Sequence, residues 1–246
     1  MSQPIPPNPA APPLPVQLNG SRRTWRLAQV AAALIVAVTV PQAAIVVASW
    51  HAYQRLDTVG TDPETNFVSR ADGAAGWAAL SLALTLAATV SLLMWVSGAR
   101  RNAELISPGR HFRFSRGFAV GAWLVPIANV WWSRAVLDEI WSASRPVGDN
   151  SAGQRSQLVL GWWLCVLAHI ALRLVSLFTV DRVTVVRPGG ESMDDARQTF
   201  LTGSLINSVS LALVVLGTVL LAAVILRISR WQTRPGNRPG QRAVTG

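Results

Sequence analysis

Four long apolar blocks limit what this chain can fold into. A helix needs roughly 20 mainly apolar residues to cross a hydrocarbon core of about 30 Å. Four segments have that length: residues 27–50, 74–96, 158–180 and 200–226. Half of the residues are hydrophobic and only 14% are charged, which is typical of multi-pass membrane proteins. We therefore predict an all-α, polytopic membrane helix bundle with four transmembrane helices.

A fifth apolar segment, residues 117–144, is harder to assign. Its first part, residues 117–132, has 16 residues and would form a helix of only about 24 Å. Pro126 and Asn129 interrupt it. Its second part is amphipathic, because one helical face holds the apolar residues Val136, Leu137, Ile140 and Trp141. We predict a re-entrant or interfacial apolar hairpin followed by a helix at the membrane surface. A short fifth span is the alternative.

The distribution of arginine distinguishes these two topologies. All 22 basic residues are arginine, and cytoplasmic loops of membrane proteins carry an excess of basic residues. Five spans would leave 11 arginines on the inner side and 10 on the outer side, whereas four spans leave 16 inside and 5 outside. The bias favours four spans in the cell membrane, with residues 97–157 and both termini cytoplasmic.

The formal charge of +10 has the same explanation. The arginines flank the apolar blocks, where membrane orientation requires them and where they attract anionic lipid headgroups. We expect the lipid bilayer as a partner, bound through the Arg-rich cytoplasmic segments. We expect no nucleic acid partner.

Two tails enclose the membrane domain, which we place at residues 27–230. Residues 1–26 begin with a stretch of 20 residues that holds seven prolines and no charged side chain, so we predict disorder with polyproline II character. Residues 231–246 are rich in Arg, Gly and Pro, and we predict a disordered basic tail. The first tail suits a spacer better than a ligand for an aromatic groove of a partner. A protein partner or a second copy of the chain is a further expected partner.

Residues 101–144, "RNAELISPGRHFRFSRGFAVGAWLVPIANVWWSRAVLDEIWSAS", carry a recognisable pattern. An Arg-Asn-Ala start, a Gly-aromatic stretch, Val-Pro-Ile-x-Asn, a tryptophan and a helix ending in Glu-Ile-Trp resemble the hallmark of the domain of unknown function 4328 (DUF4328) family of bacterial, mainly actinobacterial, membrane proteins. The resemblance implies a membrane location and no assigned activity. One departure is Ser133, where the family pattern has proline. The candidate motif residues are Arg101, Asn102, Pro126, Asn129, Trp131, Glu139 and Trp141.

A second candidate site lies inside the spans. His169 and Arg173 are four residues apart and share a helix face. In four antiparallel spans, Arg173 lies about as far from the outer membrane surface as polar residues of the other helices, roughly 10 Å. We predict an intramembrane polar layer formed by Gln42, Ser81, His169, Arg173 and Asn207. The alternative is that Arg173 extends outward to the headgroups.

The sequence holds no catalytic signature. It lacks a Walker loop, His-Glu-x-x-His, Cys-x-x-Cys and Gly-x-Ser-x-Gly. The adjacent carboxylates Asp138 and Glu139 point about 100° apart on a helix, and we expect a solvated face there. We therefore expect no catalytic, metal or cofactor site and no enzyme. A membrane scaffold or interaction protein is the leading function, a small transporter or channel that uses the polar layer is the alternative, and a membrane enzyme comes third.

Overall fold

The computed structural model describes residues 19–54, 63–146, 157–179 and 193–234. Within these ranges all regular structure is helical, which confirms the predicted all-α class. Residues 1–18 of the predicted N-terminal tail and residues 235–246 of the predicted C-terminal tail lie outside the described residues. Residues 19–26 and 231–233, which were assigned to these tails, are helical. The helices are α1 (Asn19–Ala37), α2 (Thr39–Gln54), α3 (Pro63–Ile106), α4 (Arg116–Gly121), α5 (Pro126–Ser144), α6 (Gln157–Thr179) and α7 (Met193–Thr233).

Four helical segments of the described residues are long and apolar enough to cross a membrane, which confirms the predicted number. They are Arg22–His51, Gly76–Ile106, Gln157–Leu177 and Arg197–Thr233. The first consists of α1 and α2, which meet at a turn at Val38. Pro41 follows this turn and has no N–H for the Ala37 carbonyl, so the helix is interrupted here.

Helix α7 is central, because α1, α2 and α6 all pack against it. Two glycines bring α6 and α7 close together. A Cβ atom added at Gly217 would lie 3.3 Å from Cβ of Cys165, and one added at Gly161 would lie 3.2 Å from Cδ1 of Leu220. The absence of side chains at these two positions therefore allows the close approach of the two helices.

The buried core lies at one end of the bundle, where α1 and α6 begin and α3 and α7 end. Small residues of α1 and α3 let these helices meet, and large residues of α3, α5 and α7 fill the space between them. Apolar side chains nearer the other end are largely exposed, as expected for surfaces that face lipid. Buried residues of this core include Ala28, Ala31, Trp95, Val96, Ala99, Ala103, Val136, Leu137, Ile140, Trp141, Val224, Ile225 and Ile228.

Candidate functional site

A buried arginine near the end of α3 organises the polar side chains around α5. Arg100 is only 2% exposed. Its Nη1 donates to Oε2 of Glu139 on α5 at 2.8 Å, and its Nε donates to Oε1 of Glu104 at 3.2 Å. Its Nη2 donates to the backbone carbonyl of Phe114. Each of the three guanidinium nitrogens therefore has an acceptor within the protein, in hydrogen bonds that charge strengthens.

The loop between α3 and α4, residues 107–115, covers this guanidinium. The Phe112 ring lies over it, with 3.9 Å between Cζ of Arg100 and the ring centroid. The backbone N–H of Arg113 donates to Oε1 of Glu139 at 2.8 Å. Both carboxylate oxygens of Glu139 are thus engaged, and the side chain of Glu139 is only 17% exposed. The expectation that Glu139 lies on a solvated face is wrong, because this loop folds over that side of α5.

The start of α4 adds a second arginine to the cluster. Nε of Arg116 donates to Oε2 of Glu104 at 2.6 Å. This hydrogen bond raises the pKa of Arg116 above its ordinary value. Ser115 caps α4, since its Oγ accepts the N–H of Phe118 at 3.2 Å. Two arginines and two glutamates therefore balance their charges at this end of the bundle.

A buried amide network joins four helices beside the ion cluster. Asn102 on α3 donates to Oγ1 of Thr24 on α1 at 3.3 Å and to Oε1 of Gln232 on α7 at 3.2 Å. Gln232 in turn donates to the carbonyl of Ala99 at 2.9 Å and to Oγ of Ser144 on α5 at 2.7 Å. Because Asn102 and Gln232 are both buried, the network holds these helix ends in one register.

Two tryptophans complete this end of the core. Nε1 of Trp95 donates to Oγ of Ser229 at 2.9 Å. The ring of Trp141 packs edge-on against Trp231, with 4.6 Å between the ring centroids. Arg227 lies over both rings of that pair, 5.5 and 5.3 Å from their centroids. The motif residue Trp141 therefore links α5 to the end of α7.

Helix α5 runs along the side of the bundle and does not lie across the end of the bundle. Gln232 donates a hydrogen bond to the last residue of α5, whereas the Val130 carbonyl near its start accepts one from Trp163 on α6. Trp163 is close to the level of Leu220 on α7, because Gly161 lies against Leu220. Leu220 and Gln232 are twelve residues apart, about 18 Å along a helix. The predicted surface helix therefore lies alongside the bundle, as the second arm of a helical hairpin that α4 and α5 form.

The turn of this hairpin is apolar and lies between α4 and α5. Trp123 packs against Trp162 of α6, with 5.8 Å between the ring centroids. Leu124 and Val125 are 62% and 55% exposed, and Trp131 is 63% exposed. Exposed apolar side chains of this kind suit contact with lipid or with a protein partner. The predicted apolar face of α5, by contrast, is fully buried against the bundle.

The remaining motif residues Pro126, Asn129 and Arg101 lie outside the ion cluster around Arg100. Pro126 begins α5, where its missing N–H costs nothing. Helix α5 continues without a break through Ser133, whose Oγ donates to the carbonyl of Asn129. The break between hairpin arms therefore falls at residues 122–125. The described hydrogen bonds of Asn129 are made by its backbone, and Arg101 is exposed.

The intramembrane residues form pairs between α6 and α7. Nη1 of Arg173 donates to Oδ1 of Asn207 at 3.1 Å. Oγ of Ser210 lies 3.0 Å from Nδ1 of His169. Gln42 and Ser81 are half-buried, and no described side-chain hydrogen bond joins either of them to Arg173. The structure thus brings three of the five predicted layer residues together, with Ser210 in addition.

The Arg100 cluster, formed by Arg100, Glu104, Arg116 and Glu139, connects α3, α4 and α5. We call it the structural joint. In the part of the chain that the structure describes, the side-chain hydrogen bonds of Arg100, Glu104 and Glu139 are made with other protein groups. Among the residues that the structure describes, there is also no group of three or more His, Cys, Asp or Glu that could hold a metal ion.

Comparison with known families agrees with the pattern of residues 101–144. The family model described as "Domain of unknown function (DUF4328)" matches residues 57–230. The chain belongs to the DUF4328 family. This match begins before α3 and ends at residue 230 within the last turn of α7, so the ion cluster, the hairpin and the α6–α7 pairs all lie within the DUF4328 region. No curated protein and no solved structure matches the chain.

Sequence reasoning missed several residues of the ion cluster and of the amide network beside it. It selected Arg101, but the buried arginine is its neighbour Arg100. The spacing of Arg100 and Glu104, four residues apart, was an available signal for an ion pair on one helix face. No signal pointed to Gln232, because its partners Asn102 and Ser144 are distant in sequence and meet only in the folded bundle.

Proposed function

We propose that this DUF4328 protein is a membrane scaffold or interaction protein. One observation carries the proposal: Arg100, Glu104 and Glu139 use their hydrogen bonds on each other and on the chain. A carrier or an enzyme directs such groups at a substrate. Because these three side chains hold α3, α5 and the loop between α3 and α4 together, we assign the function to the exposed surfaces that they keep in place.

For the topology, we propose a cell-membrane protein with both termini and residues 97–157 on the cytoplasmic side. The split of 16 against 5 arginines supports this orientation. So does the hydrogen-bond network, because Thr24, Asn102 and Gln232 meet at one end of the bundle. The hairpin enters the membrane from that end and returns to it.

Photocrosslinking in intact cells tests the scaffold proposal. A photoreactive residue replaces exposed Arg110 in the loop that covers the joint, and a control replaces Leu82, which is exposed on the apolar part of α3. We expect one protein partner, or a second copy of the chain, in stoichiometric amount at position 110 and lipid at position 82. The proposal fails if both positions give lipid or only heterogeneous background.

A small transporter or channel is the second candidate, and the Arg173–Asn207 and His169–Ser210 pairs favour it. Ionisable groups inside a membrane often mark a transport pathway. Ion flux measured in liposomes that contain either the unmodified protein or Arg173→Leu separates the two functions. A transporter loses flux in this variant, whereas a scaffold keeps its crosslinked partner. An enzyme remains the third candidate, because the described polar clusters are occupied by protein groups.

A further inference from the structure

A cationic groove outside the joint lies between the start of α6 and the end of α7. Its volume is about 500 Å³, within the range of small-molecule sites. Leu158 of α6 forms one wall, and Ala223 and Leu226 of α7 form the apolar floor. The other lining residues include three arginines, Arg227, Arg230 and Arg234.

Arg227 and Arg230 lie on one side of α7 and Arg234 directly follows its end, so the three are spaced by three and four residues. Like charges at such spacing repel each other. Within residues 19–54, 63–146, 157–179 and 193–234, no ion pair engages any of the three. An anion bound in the groove would relieve this repulsion.

The attraction of cations to a helix C-terminus does not explain the whole set. That effect is confined to the last turn, and α7 ends at Thr233. Arg227 lies nearly two turns earlier, and the Trp141 and Trp231 rings hold it in place. Packing on an aromatic ring covers the face of a guanidinium. Its N–H groups point outward in the guanidinium plane, where they can bind phosphate.

The apolar floor decides between a soluble anion and a lipid. Ala223 and Leu226 belong to the apolar block 200–226, and the three arginines follow this block. Arginines that flank a span lie near the headgroups. The groove thus has a cationic part near the headgroups and an apolar part toward the acyl chains. This order of charge and apolarity matches a phospholipid.

We propose that the Arg227–Arg230–Arg234 groove binds the phosphate headgroup of one anionic phospholipid, with its acyl chains along α6 and α7. Basic pockets between transmembrane helices are suited to such headgroups. The lipid would hold the end of α7 beside the hairpin, since Arg227 contacts Trp141 of α5. This site is independent of the scaffold proposal.

Native mass spectrometry of the full-length protein in detergent tests the site. Phosphatidylglycerol is titrated against phosphatidylcholine with the same acyl chains. We expect the first phosphatidylglycerol to bind at least tenfold more tightly than phosphatidylcholine. Because an arginine near an anionic headgroup contributes roughly 1 kcal/mol and 1.4 kcal/mol is tenfold, Arg227→Gln/Arg230→Gln should weaken phosphatidylglycerol binding about 30-fold.

The matched control is Arg22→Gln/Arg23→Gln, which removes two exposed arginines from the same end of the bundle. It should bind within twofold of the unmodified protein. Equal loss in both double variants, equal binding of the two lipids, or displacement of phosphatidylglycerol by inorganic phosphate would overturn the proposal. If the glutamine variant does not fold, Leu158→Trp replaces it, since it fills the groove from α6 without changing the charge.

Discussion

Replacing Glu139 by glutamine tests whether the Arg100 cluster is a structural joint. Glutamine keeps the shape of the side chain and one acceptor oxygen. The second oxygen becomes an NH₂ group, which faces a donor, either Nη1 of Arg100 or the N–H of Arg113. The substitution therefore removes one charge and one hydrogen bond without opening a cavity.

The expected cost follows from the burial of the pair. A hydrogen bond to a charged group contributes roughly 1.5–3 kcal/mol. Arg100 is 2% exposed and the side chain of Glu139 is 17% exposed, so water screens the pair little. Glu104 remains as a partner of Arg100 at 3.2 Å, which lowers the cost. We expect a loss of about 2 kcal/mol, which is a decrease in Tm of roughly 4–8 °C for a domain of this size.

Thermal unfolding in dodecyl maltoside, followed by tryptophan fluorescence, measures this change. The matched control is Asp138→Asn on the same helix, since Asp138 lies 3.8 Å from Arg134 and both side chains are about one third exposed. Such a pair contributes less than about 1 kcal/mol. The joint would be refuted if Glu139→Gln and Asp138→Asn unfolded at the same temperature.

Two further predictions concern α6 and α7. Arg173→Leu and Asn207→Leu should each lower stability in detergent, and a double-mutant cycle of melting curves should give a coupling of about 1 kcal/mol; strictly additive effects would remove the pair. Gly217→Leu should lower stability by about 1–3 kcal/mol, because its Cβ would meet Cys165. Gly203→Leu, where a Cβ meets open space, is the matched control, and an equal loss there would mean that close approach at Gly217 is unimportant.

The sequence was sufficient for the number of spans and for the buried face of α5. Both depend on local rules, the length of an apolar run and the 3.6-residue period. The extensions of α3 and α7 beyond their apolar blocks were not predicted. The added turns, such as residues 97–106, carry charged side chains and are stabilised by tertiary contacts that a local sequence pattern does not show. The path of α5 along the side of the bundle was also not predicted. An amphipathic pattern shows that one side of the helix is apolar, but not whether that side contacts a membrane surface or other helices.

Only part of the candidate site was predicted, because the rest depends on how the helices pack. Glu139 and Trp141 were selected from the motif; Glu139 lies in the Arg100 cluster, and Trp141 packs against Trp231 in the core beside it. The choice between Arg100 and Arg101 could not be made, because neighbouring residues point about 100° apart on a helix and only the position of α5 decides which is buried. Gln232 could not be selected from the sequence, because its site forms only where the start of α1 meets the ends of α3, α5 and α7.

The most direct test of the account is whether residues 97–157 remain on the cytoplasmic side. In a Cys165→Ser background, Ser151→Cys is labelled with a membrane-impermeant maleimide, with Thr61→Cys in the first outer loop as the accessible control. In intact cells we predict labelling at position 61 and none at position 151 until the membrane is permeabilised. Labelling at position 151 as fast as at position 61 would contradict the re-entrant hairpin and favour residues 117–132 as a fifth span.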